Sequence, residues 1–148
     1  MLFVSVNGTS GNISSPNYPS TYPHNYEEHF NITVMEGSTI TLHFEHMDVE
    51  PHSTCFYDYV EGNYDFPYKN IKFVFLVHDT DGMMKMKYCG MTMPDQFTSS
   101  GRNITVVFHS DGSRNATGFK AIWFSSEVAI SSPNFPQNYD DDYDMVCY

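Results

Sequence analysis
The chain has 148 residues, one domain's worth with little to spare, yet enough to bury a core without a metal or several disulfides. Apolar residues make up 41% and aromatics 16%, which excludes a disordered tail and favours strands over helices. With 18 Asp and Glu against 7 Lys and Arg, the net charge is −11. Nucleic acid and anionic membrane are therefore poor partners, and a basic protein surface or a cation is a better one.

Met1–Val6 is apolar but too short for a signal peptide and lacks a basic start. No stretch reaches the roughly 18 apolar residues of a membrane span. Ser15-Pro16-Asn17-Tyr18-Pro19 and Thr21-Tyr22-Pro23 read as extended or turn-like, because proline pushes its predecessor out of the helical region. Phe30–Val34 and Ile40–Phe44 alternate apolar and polar residues, and Glu36-Gly37-Ser38 between them reads as a hairpin turn. Further strands are expected at Phe56–Val60, Ile104–Phe108 and Phe119–Phe124, the last two separated by the turn-rich Ser110–Gly118. No window sustains a helical stripe, so the pattern predicts an all-β sandwich or barrel.

Asn7, Asn12, Asn31, Asn103 and Asn115 each open an Asn-x-Ser/Thr sequon without proline. Five glycosylation acceptors in so short a chain, with three cysteines, point to a secreted, oxidising environment. On that reading the true N-terminus is expected to lie outside this sequence. Gly11–Tyr22 recurs as Val128–Tyr139, so residues 126–148 are expected to begin a second copy of the domain, too short to bury a core alone.

Gly11-x-Ile-x-Ser-Pro-Asn-Tyr-Pro-x-x-Tyr22 resembles the opening of a CUB domain. Gly37-x-x-Ile-x-Leu-x-Phe44, Cys55-x-Tyr-Asp-Tyr-Val60, Tyr88-Cys89-Gly90, and Val107–Ser113 followed by Gly118-Phe119 continue that resemblance in order, over residues 7–124. The resemblance implies an antiparallel, jelly-roll-like sandwich of two sheets. Most members carry two disulfides. Here the first pair is absent, with Glu28 near the place of its second cysteine, and Cys55 and Cys89 are expected to bond to each other. Their Cα atoms should then lie about 4.4–6.8 Å apart. Cys147 belongs to the incipient second copy. Gly62–Leu76 has no counterpart in the family pattern. It is expected to be a retained intron in the gene model, the alternative being an additional β-hairpin or loop, since Lys72–Val77 has strand composition.

In calcium-binding CUB domains, matching positions supply the metal's carboxylates, here Glu50, Asp58 and Asp111, with backbone carbonyls from Gly112 or Ser113 and a tyrosine, here Tyr18, behind them. Calcium takes six to eight oxygens at about 2.3–2.6 Å, which such a set fits. The resemblance further implies that Glu50, Asp111 and Ser113 face a lysine of a partner protein. The leading expectation is thus a calcium-dependent extracellular interaction module. The alternatives are a calcium-independent structural or adhesive glycoprotein domain, and an accessory domain of a secreted protease whose catalytic part is absent here.

An enzyme in its own right is not expected. There is no G-x-S-x-G elbow and no H-E-x-x-H, and Cys55 among aromatics reads as structural. His43 and His46, three apart in a strand, are expected on opposite faces, which argues against paired zinc ligation. Asp79-Thr80-Asp81-Gly82 reads as a turn, and Glu27-Glu28 and Asp140–Asp144 as solvated charge runs.

Overall fold
The computed structural model describes residues 1–63, 75–78 and 84–127. Ten strands fill it: β1 Leu2–Asn7, β2 Ser10–Ser14, β3 Tyr26–Thr33, β4 Ser38–Asp48, β5 Tyr59–Asn63, β6 Phe75–His78, β7 Met84–Tyr88, β8 Phe97–Thr98, β9 Asn103–Ser110 and β10 Gly118–Glu127. No helix occurs among the described residues. One sheet has the order β1-β3-β9-β5-β7-β6 and the other β2-β10-β4-β8. The all-β, two-sheet expectation holds.

Alternation decides which side chains meet between the sheets. On β3 Phe30 and Ile32 face inward, on β9 Ile104, Val106 and Phe108, and on β4 Ile40, Leu42 and Phe44. Phe119, Ala121 and Trp123 of β10, beside β4 in the second sheet, complete the core against β3 and β9. Each large side chain so buried contributes about 1.5–3 kcal/mol. Gly11 lies opposite Trp123, and a Cβ there would stand 2.9 Å from the indole Nε1. Only glycine lets the ring pack flat on β2.

Four local expectations are corrected. Glu36-Gly37-Ser38 does turn the chain, with Gly37 at φ 79° and Ser38 N–H donating to Met35 O at 3.1 Å. It joins β3 of one sheet to β4 of the other, however, so it is a sheet-to-sheet corner and not a hairpin. Pairing is antiparallel throughout except for β1, which runs parallel to β3. The chain leaves β1 for β2 in the second sheet and returns to β3 along the proline-rich segment, so no direct hairpin links β1 to β3. A register shift opposite Lys120/Ala121 leaves Glu45 as an extra residue on β4. This bulge resets the alternation. Phe44 and Met47 are both buried, and His43 and His46 share the outer face instead of lying on opposite ones. Even so, His46 Nε2 is engaged with Thr117 Oγ1 at 2.8 Å.

The fourth correction is Glu28, which is not solvated but buried, at 8% exposure, on the inward side of β3 opposite Phe108. Tyr26 Oη donates to its Oε2 at 3.3 Å. Desolvation raises the Glu28 carboxyl above its usual value, partly offset by that bond. Its neighbour Glu27 faces outward between His29 Nε2 at 3.0 Å and His109 Nδ1 at 3.2 Å. The hydrogen bond with His29, then the one with His109, holds its carboxyl low. The two acids have opposite linkage. Glu27 stabilises the fold above its unfolded value of 4.5, and that contribution is lost as pH falls through the folded value. Glu28, raised when folded, contributes no penalty below 4.5 and destabilises as pH rises through its folded value. Glu28→Gln keeps the acceptor for Tyr26 and removes the charge. It should raise the melting temperature at pH 7, with the gain vanishing by about pH 4, as thermal melts at the two pH values would show.

Of the segment expected to be foreign, Gly62 and Asn63 lie in β5, paired with β7 and β9, and Phe75 and Leu76 lie in β6. Residues 64–74, the Asp79–Gly82 turn and residues 128–148, with Cys147, lie outside the described residues.

Candidate metal centre
Glu50 follows β4, Asp58 precedes β5 and Asp111 follows β9, so three strand ends deliver three carboxylates to one end of the sandwich. One oxygen from each lies within 4.8 Å of the others, the one such group of His, Cys, Asp or Glu among the described residues. Asp58 is fully buried and Glu50 is 6% exposed.

Asp58 is the hub. Its Oδ2 accepts the Tyr22 hydroxyl at 2.7 Å, and its Oδ1 accepts the Asp111 backbone N–H at 2.7 Å. The Tyr22 hydroxyl in turn accepts the Glu50 backbone N–H at 3.1 Å, so one phenol ties two of the acids together. Burial first, then the hydrogen bond and charge of Asp58, push the Tyr22 phenol far above its usual value, which keeps it a donor at any physiological pH. Asp111 Oδ1 accepts from Ser113 N–H at 2.7 Å and Ser113 Oγ at 3.1 Å, which folds the Asp111–Ser113 turn onto its own carboxylate. Asn25 N–H donates to Asp111 O at 2.7 Å, and a Cβ on Gly112 would stand 3.2 Å from Asn25 Oδ1.

Glu50 is less completely served. Arg114 Nε approaches its Oε1 at 3.8 Å from an exposed side chain, and its Oε2 is buried without a hydrogen-bond partner among the described residues. A buried, unpartnered carboxylate oxygen beside two further carboxylates calls for a cation. The donors are all hard oxygens, as calcium prefers, and they come from three chain segments.

Tyr18 is not the tyrosine that holds this site. Its ring lies tilted against His46 at 5.2 Å, and the hydroxyl on Asp58 belongs to Tyr22, four residues on. The sequence signal for Tyr22 was its place at the end of a proline-rich string that returns the chain to the core, where a phenol must find a partner. Cys55 and Cys89 are bonded, with Cα atoms 5.5 Å apart, as expected. The bridge fixes the segment that runs into Asp58. Of the sequon asparagines, Asn7, Asn12, Asn103 and Asn115 are exposed. Asn31 is half-buried, with Oδ1 accepting from Thr105 Oγ1 at 3.0 Å, and Asn115 Nδ2 donates to Tyr22 O at 3.0 Å.

A two-sheet sandwich with a disulfide beside a three-carboxylate end defines an all-β module that presents loops. The CUB domain family model matches residues 4–124, and the chain belongs to that family. It is 33% identical to Rattus norvegicus cubilin over 90% of its own length and 4% of the relative's. It is 35% identical to the Strongylocentrotus purpuratus bone morphogenetic protein 1 homolog over 84% of its length and 18% of the relative's. The chain thus spans a small part of the curated relatives it matches. Among solved structures, the MASP-1 CUB2 domain bound to Ca2+ superposes with a TM-score of 0.63 and 25% identity, covering 81% of this chain and 96% of that one.

Proposed function
We propose that this chain is an extracellular protein-interaction module that takes up calcium at Glu50, Asp58 and Asp111 and grips a lysine of a partner, without catalysis of its own. The observation that carries it is the carboxylate trio with the unpartnered, buried Glu50 Oε2. The calcium-bound MASP-1 CUB2 structure, similar in fold, supports the choice of metal. Backbone carbonyls of Gly112 or Ser113 and water would complete the shell. Three carboxylates and one divalent ion leave one net negative charge. An ammonium set against Glu50, Asp111 and Ser113 would neutralise it, and the charge of −11 would steer a basic partner in. In the same compartment the five sequons would carry glycans.

Capture on lysine-coated beads tests this reading. Wild-type protein should be retained at millimolar calcium and released by chelator or free lysine, and acetylated beads should retain none. Equal retention with and without calcium would put the calcium-independent adhesive reading ahead.

A further inference from the structure
β10 lies inside the four-stranded sheet, between β2 and β4, and alternates between the core and the outer face. Phe119, Ala121 and Trp123 are buried, so Lys120, Ile122 and Phe124 form the outward row. Lys120 is satisfied by Glu45, Nζ to Oε2 at 2.7 Å. Ile122 and Phe124 continue the row as apolar surface, Ile122 half-buried and Phe124 40% exposed. Their neighbours across the sheet are polar: Asn12 and His43 flank Ile122, and Ser10 and Thr41 flank Phe124. Neither side chain belongs to the core.

Asn12 opens the sequon Asn12-Ile13-Ser14 and is exposed on β2, an edge strand, directly opposite Ile122. The other sequons on strands meet polar neighbours. Asn7 is paired with Thr33, Asn31 with Ser5 and Thr105, and Asn103 with Thr33. Two of those amides also bond within their sheet: Asn31 Oδ1 accepts from Thr105 Oγ1 at 3.0 Å, and Asn103 Oδ1 from Thr33 Oγ1 at 2.9 Å. Of the four, Asn12 is the one set against apolar surface. Directly opposed residues of an antiparallel pair have Cβ atoms about 4.5–5.5 Å apart and diagonal ones about 7–8 Å, so a sugar on Asn12 reaches both Ile122 and Phe124.

We propose that Asn12 carries an N-linked glycan whose first N-acetylglucosamine lies on Ile122 and Phe124 and covers this stripe of the sheet. The sequon names the occupant, because the acceptor amide stands beside the surface to be covered. Attachment takes the sugar from a lipid-pyrophosphate-linked oligosaccharide. The Nδ2–C1 bond forms, the bond from C1 to the pyrophosphate oxygen breaks, Nδ2 gives up one proton, and the lipid pyrophosphate leaves. A pyranose presents a face of C–H groups, whose partial positive charge suits the negative face of the Phe124 ring. Covering the stripe removes apolar area from water. The sugar is rooted in β2 and rests on β10, so it also braces an edge strand against its neighbour. The inference rests on the extracellular compartment proposed above and on nothing in the calcium or lysine reading.

The full chain, secreted with high-mannose glycans and trimmed enzymatically to a single N-acetylglucosamine per site, tests it. Peptide mass spectrometry should find Asn12 occupied. The trimmed wild type should melt about 2 °C or more above trimmed Asn12→Gln, and Ser14→Ala, which removes the sequon but keeps the asparagine, should show the same loss. In oxidatively refolded bacterial protein, which carries no glycan, Asn12→Gln should shift the melt by less than about 0.5 °C. In a Phe124→Ser background the sugar's contribution should fall to under half, and Phe124→Tyr should keep it. An occupied Asn12 whose loss leaves the melt unchanged, or a gap that stays above half in Phe124→Ser, would overturn the proposal. An empty Asn12 beside occupied sequons would overturn it alone, whereas a secreted chain with every sequon empty would overturn the glycoprotein reading with it.

Discussion

Asp58→Ala is expected to lower stability by about 3–6 kcal/mol and to abolish calcium uptake together with lysine capture. The magnitude follows from what Asp58 holds. It is fully buried and accepts two bonds of 2.7 Å, from the Tyr22 hydroxyl and the Asp111 backbone N–H. Hydrogen bonds to a charged group are worth about 1.5–3 kcal/mol each, and alanine would leave both donors unpaired, the Tyr22 hydroxyl fully buried and the Asp111 N–H half-buried. The Asp111 turn would lose its anchor, and the phenol that also receives Glu50 N–H would be free to move. A melt should show a fall of roughly 10 °C or more for a domain of this size. Asp58→Asn keeps the volume and one acceptor. It should recover part of that stability while binding calcium at least tenfold more weakly. A stable Asp58→Ala variant with unchanged calcium uptake would show that Asp58 is neither hub nor ligand.

The second large effect concerns the bridge. The double variant Cys55→Ser, Cys89→Ser should be less stable by about 4 kcal/mol, because the disulfide closes a loop of sequence separation 34 and removes that loop's entropy from the unfolded chain. The damage should also reach the site. Cys55 stands three residues before Asp58, and Cys89 adjoins the Gly90 pairing with Val49, which precedes Glu50. Without the bridge the ends of β4 and β5 keep the Tyr22 hydrogen bonds and the Val49–Gly90 pairing but lose their covalent tie, so calcium affinity should fall along with stability. Denaturant unfolding of the variant, with and without calcium, measures both. A loss under 1 kcal/mol would mean that the strand pairing alone fixes the end of the sandwich.

Much of this was legible in the sequence for reasons that can be named. The alternation in Phe30–Val34, Ile40–Phe44 and Ile104–Phe108 is a period-two signal that burial on one face imposes, and the structure places the last two within strands and the first in β3 as far as Thr33. The acid trio was readable only through the family pattern. Glu50, Asp58 and Asp111 are far apart in the chain, and nothing local says that three strand ends converge. What stayed hidden is non-local. Glu36-Gly37-Ser38 has the composition of a hairpin turn, but composition does not say whether the next strand returns to the same sheet. The bulge at Glu45 is a misfit between β4 and β10, invisible in β4 alone, and it reverses the facing expected for His46. Glu28 looked like half of a solvated acidic pair, and only the inward phase of β3 shows it to be buried. Tyr18 and Tyr22 sit four apart in the same string of prolines, and only the path of the loop brings Tyr22 to Asp58.

The central claim is that the carboxylate trio is a calcium site, and the melting temperature of the wild-type chain in calcium against chelator tests it most directly. Extracellular calcium modules bind at about 10⁻⁴–10⁻³ M, so about 10 mM calcium should add about 1.4–2.7 kcal/mol of stability, a rise of several degrees. Equal concentrations of magnesium should add far less, because the smaller ion gives up its water reluctantly. Identical melting curves in calcium and chelator, with no heat on titration, would contradict the claim.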